Sequence, residues 1–340
     1  MMKISYSAKH LEGLLPPLML PLNDSAEIDF ESLRREIDYL AAGKVNGIWL
    51  NGSTGDFHAL SDVECAEVVK VSVNHVAGRF PVVAQVGDAS TRGTILKAEQ
   101  ALAAGADFLA VVVPFYLDYS QAELKAHFRA VSKAAGRPVI LYNVPQLTKT
   151  SASTETVLEL AREGVLIGIK ESSGNLDQFR QLIARVREEG LDLRCLNGSS
   201  VLADLSLFVG GHGLVCSVAN LAPHTCKQIC DLAANQNWSA VNGVAAKLGQ
   251  LLEAMKLPNR PGFPPTIAVY KWIFREIGIF TSDTVFAPLQ PLSGAEISFL
   301  KKSALPVVAE LCKDLLLAYR QKTNGSLSKA KVASRQLQRA

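Results

Sequence analysis

The sequence predicts an α/β chain folded as a (β/α)8 TIM barrel with additional C-terminal helices, and three observations carry that expectation. Short apolar segments alternate with amphipathic ones along most of the chain, the pattern of parallel strands joined by right-handed helical crossovers. Eight such apolar segments can be counted, the number that closes a barrel. No G-x-G-x-x-G follows the first of them, where a doubly wound dinucleotide-binding sheet would carry it.

In order, the expected strands are LLPPLML, GIWL, PVVAQV, FLAVVV, PVILYN, LIGIK, LRCLN and GLVCSV. Most are near-continuous apolar runs, as strands covered on both faces should be. Helices are expected over Phe30–Ala42, Asp62–Val76, Thr91–Ala104, Gln121–Ala135, Ser153–Arg162, Leu176–Glu188 and Val201–Val209, where apolar residues recur every three or four positions, as at Leu33, Ile37 and Leu40. Several open on Ser, Thr or Asp and close near Gly. Residues 1–235 are thus expected to form the barrel with a short lead-in. Residues 236–319 read as a helical segment packed on it, and residues 320–340, basic and without one acidic residue, as a disordered solvated tail.

Composition narrows the function classes. The 340 residues are 48% hydrophobic and 20% charged, enough for a sizeable core. A net charge of +3 without an aromatic-interleaved basic patch argues against a nucleic-acid partner. No apolar run approaches the roughly 20 residues of a membrane-spanning helix, and MMKISYSAKHLEG lacks the apolar core of a signal peptide, so a cytoplasmic location is expected. Cys65, Cys195, Cys216, Cys226, Cys230 and Cys312 lie in apolar segments and read as buried free thiols. Cys226 and Cys230 are one helical turn apart, but His212 and His224 complete no zinc spacing, and neither a metal nor a cofactor is expected.

In such a barrel the chemistry sits at the carboxyl ends of the strands. Those ends carry Asn51-Gly52-Ser53-Thr54-Gly55-Asp56, Pro114-Phe115-Tyr116, Tyr142-Asn143, Lys170, Asn197-Gly198-Ser199-Ser200 and Cys216-Ser217. Lys170 ends a strand in which an ammonium ion is expensive. An amine there can be held neutral by desolvation and form a Schiff base with a carbonyl substrate. It can equally be a lysine paired with Glu171 or snorkelling outward, and taken alone the residue does not choose. Tyr142, on the neighbouring strand, offers a hydroxyl for the proton transfers that Schiff-base chemistry needs. The Gly52-Ser53-Thr54-Gly55 turn offers backbone N–H groups and two hydroxyls without bulk, a cradle for a carboxylate, although ordinary turns favour the same residues.

Taken together, GSTGD, PFY, YNVP, GIKESSGN and GGHGLVCSVANLAP resemble, in order and spacing, the dihydrodipicolinate synthase / N-acetylneuraminate lyase superfamily of class I pyruvate-dependent aldolases, over roughly residues 12–315. The resemblance implies that Lys170 is the Schiff-base lysine and Tyr142 the proton shuttle. Ser53 and Thr54 would bind the pyruvate carboxylate, Ser53 also linking Tyr142 to a second tyrosine. Tyr116 matches that second tyrosine, which reaches the site from a neighbouring subunit, and Val215 the residue whose carbonyl lies near the reacting centre. A homotetramer built as a dimer of dimers is implied, with pyruvate and an aldehyde or 2-keto acid as substrates.

Two departures bear on the acceptor. Leu147 stands where the resemblance places an arginine that binds the carboxylate of aspartate semialdehyde, which argues against 4-hydroxy-tetrahydrodipicolinate synthase activity unless another basic group, such as Arg260 or Lys149, serves instead. Gly198-Ser199-Ser200 stands where the lyases carry an acidic pair for sugar hydroxyls, and Ser172 is placed to meet a substrate hydroxyl. The expected acceptor is therefore the aldehyde of a 2-keto-3-deoxy sugar acid or an aromatic aldehyde. A non-catalytic binding barrel and a metal-dependent aldolase are the remaining alternatives.

Overall fold

The computed structural model describes residues 7–313. Eight strands, β1 (Gly13–Leu14), β2 (Ile48–Leu50), β3 (Val82–Gln85), β4 (Phe108–Val112), β5 (Val139–Asn143), β6 (Leu166–Glu171), β7 (Arg194–Asn197) and β8 (Gly213–Leu214), pair in parallel. Their order is β1-β8-β7-β6-β5-β4-β3-β2. Trp49 and the segment after β1 close the remaining gap, with the Trp49 N–H donating to the Pro16 carbonyl and the Leu18 N–H to the Trp49 carbonyl, both at 2.9 Å. The result is the expected TIM barrel.

Strands β1 and β8 are two residues long, shorter than the apolar segments expected there, and β1 starts one residue before its segment, at Gly13. Pro16 and Pro17 have no N–H to give a ladder, so the first segment is buried without continuing as strand. Gly13 and Gly213 are register partners, and a Cβ on Gly213 would collide with the Gly13 backbone. The pairing of β1 with β8 therefore needs glycine at position 213.

Crossover helices α1 (Phe30–Ala42), α2 (Asp62–Val76), α3 (Thr91–Ala103) and α4 (Gln121–Ala135) follow the first four strands. A short α5 (Pro145–Thr148) precedes α6 (Thr154–Arg162), and α7 (Leu176–Glu188), α8 (Ala203–Phe208) and α9 (Pro223–Ala234) complete the ring. Ser61 with Glu64 and Ser120 with Glu123 form reciprocal capping boxes that fix where α2 and α4 begin. The helix expected over Val201–Val209 is split into a 3-10 turn, Ser200–Leu202, followed by α8. After α9 come α10 (Trp238–Ala254), α11 (Phe263–Glu276) and a helix over residues 294–313. The basic stretch 320–340 lies outside the described residues.

Side chains alternate along the strands, as the two-residue period requires. Phe108, Ala110 and Val112 of β4, Ile140 and Tyr142 of β5, and Leu196 of β7 face the barrel interior with Trp49 and Val215. Leu109, Val111, Val139, Leu141 and Cys195 face outward into a second apolar layer under the helices, which also takes in Leu248, Trp272 and Leu300 of the C-terminal helices. Among the described residues no helix is long and apolar enough to cross a membrane. All six cysteines are buried and unpaired.

Candidate active site

The strand period that fills the barrel also aims its chemistry. Tyr142 and Lys170 are direct register partners across β5 and β6, so both side chains point into the barrel at the same level. The Lys170 Nζ stands 4.1 Å from the centre of the Tyr142 ring and 4.9 Å from that of Trp49. Gly198, at the end of the adjoining strand, leaves room for this. A Cβ there would collide with Ser172 Oγ and stand 3.0 Å from Lys170 Cε.

Lys170 is only 4% exposed. Burial pushes its amine down to about 7, with a smaller opposing effect from the neighbouring Cys216 thiol. Glu171 does not neutralise it. The Glu171 oxygens accept hydrogen bonds from Asn143 Nδ2 at 2.8 Å and the Ser173 N–H at 2.6 Å. Of the two readings left open by the sequence, the paired or snorkelling lysine is excluded, because the residue is buried and no carboxylate answers it among the described residues. A neutral amine near neutral pH is the nucleophilic form of lysine.

The Ser53–Gly55 segment forms a 3-10 turn at the mouth of β2. Ser53 and Thr54 open it, so their amides have no partner within the turn. Ser53 Oγ lies 3.3 Å from Tyr142 Oη. Burial raises the Tyr142 hydroxyl above its ordinary pKa, while the hydroxyls of Ser53 and Ser172 pull it back. Tyr142 thus stays protonated at neutral pH and can both donate and accept through Ser53.

These groups line a cavity of about 260 Å³. Of the residues singled out from the sequence, Ser53, Thr54, Tyr142, Lys170, Ser172, Val215 and Leu147 border it. Gly52 does not. It closes the turn instead, its carbonyl accepting from the Gly55 N–H at 3.0 Å. Ser200 is also outside the lining, its Oγ accepting from the Val218 N–H at 3.4 Å. Tyr116 is absent from the cavity of its own chain and is 83% exposed, with an unusual positive φ of 85°. The suggested substitutes for the missing arginine are absent too. Arg260 donates to the carbonyls of Pro291 and Gln290 and pairs with Glu296, and Lys149 lies exposed beyond α5.

The sequence reading did not single out Val144, Gln146 or Phe263, which complete the wall. Gln146 directs its amide to the carbonyls of Ser172 and Ser173, at 3.1 and 2.7 Å. Phe263 opens α11, beyond the barrel, so strand-end logic could not find it. Trp49, under the lysine, read as ordinary strand core.

The chain from residue 10 to residue 304, which takes in every strand and every residue bordering the cavity, matches the dihydrodipicolinate synthetase family. It belongs to that family. The 4-hydroxy-tetrahydrodipicolinate synthase of Polynucleobacter asymbioticus is 31% identical over 290 residues, covering 85% of this chain and 92% of the relative. That of Neisseria gonorrhoeae is 34% identical over 283 residues, covering 83% and 94%. Among solved structures, the dihydrodipicolinate synthase of Aquifex aeolicus aligns with a TM-score of 0.78 at 25% identity, covering 86% of this chain and 96% of that one. A family member from E. coli K12, solved in complex with pyruvate, aligns with a TM-score of 0.80 at 26% identity, covering 89% and 98%. The family is one of class I pyruvate-dependent carbon–carbon lyases, and this chain is an enzyme of that class.

Proposed function

We propose that the chain joins pyruvate to an aldehyde, or cleaves the corresponding 2-keto acid, through a Schiff base on Lys170. The observation that carries this is a buried amine, held at a pKa of about 7, with no carboxylate partner among the described residues and 4.1 Å from the centre of the Tyr142 ring. In this reading the neutral Nζ attacks the ketone carbon of pyruvate and the carbinolamine loses water. Tyr142 passes the protons, relayed by Ser53 3.3 Å away. Ser53 and Thr54 hold the carboxylate, and the Val215 carbonyl lies beside the reacting carbon. The iminium draws electrons from the methyl group, which loses a proton to give an enamine. The enamine carbon attacks the aldehyde, Tyr142 protonates the new alkoxide, and water frees the lysine. Borohydride reduction in the presence of pyruvate, followed by peptide mapping, should place a stable adduct on Lys170. No adduct at saturating pyruvate would defeat the reading.

A second reading fixes the acceptor as aspartate semialdehyde. The names of the curated relatives favour it over any acceptor without a carboxylate. Against it stands the cavity wall, where Leu147 is half exposed and Lys170 is the only cationic side chain among the lining residues. Steady-state kinetics with aspartate semialdehyde, D-glyceraldehyde and benzaldehyde separate the readings, since a synthase turns over the first at the highest kcat/KM.

Assembly as a dimer of dimers is part of the same proposal, supported by an exposed Tyr116 held at a φ that bulky residues avoid. One structural relative, with a TM-score of 0.81, is described as a monomeric variant, so sedimentation is the deciding measurement. Six buried, unpaired thiols support a reducing, cytoplasmic setting.

A further inference from the structure

Helix α11 buries a lysine even more completely than the barrel buries Lys170. The Lys271 and Asp56 side chains have no exposed surface, and the ammonium lies 2.9 Å from Asp56 Oδ2. Asp56 is the residue that ends the Ser53–Gly55 turn, in a left-handed conformation with φ of 52° that few residue types besides glycine, asparagine and aspartate adopt readily. The turn's other end, Asn51, is also left-handed at φ 52°, and its Nδ2 is tied to the Cys65 carbonyl at 3.0 Å. A second buried carboxyl, Glu36 of α1, is pushed well above its ordinary value by burial, and the positive charge of Lys271 opposes that rise. Glu36 accepts the Met19 N–H at 2.9 Å, and the adjoining Leu18 carbonyl packs so tightly on Gly55 that a Cβ there would come within 3.0 Å.

A fully buried ion pair gives little net stability over an apolar pair of the same volume. Stability alone therefore does not explain why this one sits at the end of the turn bearing two active-site hydroxyls. We propose that the Asp56–Lys271 pair is a positioning device that sets the Gly52–Asp56 turn, and through it the Ser53 and Thr54 hydroxyls, for the pyruvate carboxylate. Helix α11 then belongs to the working site through Lys271 as well as Phe263. This inference rests on the Schiff-base reading of Lys170.

The decisive variant is the double substitution Asp56→Asn/Lys271→Met, which removes both charges of the pair, while Glu36, whose carboxyl burial already raises well above its ordinary value, can take up a proton in place of the lost cation. Its fold should survive, because an uncharged pair of similar volume escapes the desolvation cost of a buried ion pair, which offsets the lost attraction. The pyruvate concentration for half-maximal borohydride trapping should rise at least tenfold, and amides in segment 52–56 should exchange with deuterium faster than in the parent. Native half-saturation together with native exchange would overturn the proposal. Lys271→Arg, which keeps the charge and changes the reach, provides a second reading if the double variant does not fold. It should raise half-saturation at least threefold, and an unchanged value would likewise overturn the positioning role. Failure of the parent protein to form any adduct would instead defeat the Schiff-base reading, while the exchange measurement still judges whether the pair holds the turn.

Discussion

Lys170 and Tyr142 face each other across one rung of the β5–β6 ladder, and the lysine Nζ lies 4.1 Å from the centre of the tyrosine ring. The main chain thus sets the distance between the proposed nucleophile and the proposed proton carrier. No salt bridge does so.

Replacing the lysine tests the chemistry directly. Lys170→Met should abolish pyruvate trapping and lower kcat by about three orders of magnitude or more, as loss of a covalent nucleophile does. The same variant should melt at a higher temperature than the parent. The folded-state pKa of about 7 lies below the ordinary lysine value, so the unfolded chain binds the proton more tightly. The burial penalty is then fully present below pH 7 and fades as pH rises from 7 towards about 10.4. Calorimetry at pH 6 and pH 9 should show the larger gain at pH 6.

The rate of adduct formation should follow that same ionisation. With the amine at about 7, trapping should accelerate as pH rises through neutrality and level off near pH 8. A limb that rises only near pH 10 would mean an ordinary, solvated lysine.

Removing the tyrosine hydroxyl should slow the proton transfers and leave the fold in place. For Tyr142→Phe we expect kcat to fall by about 10²- to 10⁴-fold. Ser53→Ala should cost less, about tenfold, and the double variant should be no worse than Tyr142→Phe alone, because both act in one relay 3.3 Å long. Additive losses would show that the two hydroxyls work separately.

The acceptor question turns on Leu147. Its side chain is half exposed, so Leu147→Arg should be tolerated by the fold. If the absent cation is what limits a carboxylated acceptor, the substitution should raise kcat/KM for aspartate semialdehyde at least tenfold through a charge-assisted pair. Equal values for parent and variant would show that the acceptor carboxylate, if present, is held elsewhere.

Much of this was legible in the sequence because barrel strands and amphipathic helices obey strict periods. No strand strays more than one residue beyond its apolar segment, and inward alternation at Tyr142 and Lys170 follows from the same two-residue repeat. What was not legible depends on contacts between distant parts of the chain. Phe263 reaches the cavity from α11, Gly52 is taken up in its own turn, and Ser200 accepts a hydrogen bond from Val218 instead of bordering the cavity. The two buried lysines make the limit plain. IGIK and AVYK look alike as text, yet Lys271 meets Asp56 and Lys170 meets no carboxylate among the described residues. Only the fold reveals which amine is neutralised by a partner and which by dehydration.

Because the Lys170–Tyr142 spacing is fixed by a rung of the ladder, it does not depend on the loops that decide which aldehyde enters. Leu147 and Gln146 sit on the four-residue helix α5 and Phe263 on α11, outside the ladder itself. Under the proposed reaction, substitutions at these positions should alter acceptor preference and leave the Lys170–Tyr142 spacing in place. Choice of partner and bond-making would then be separable in this scaffold.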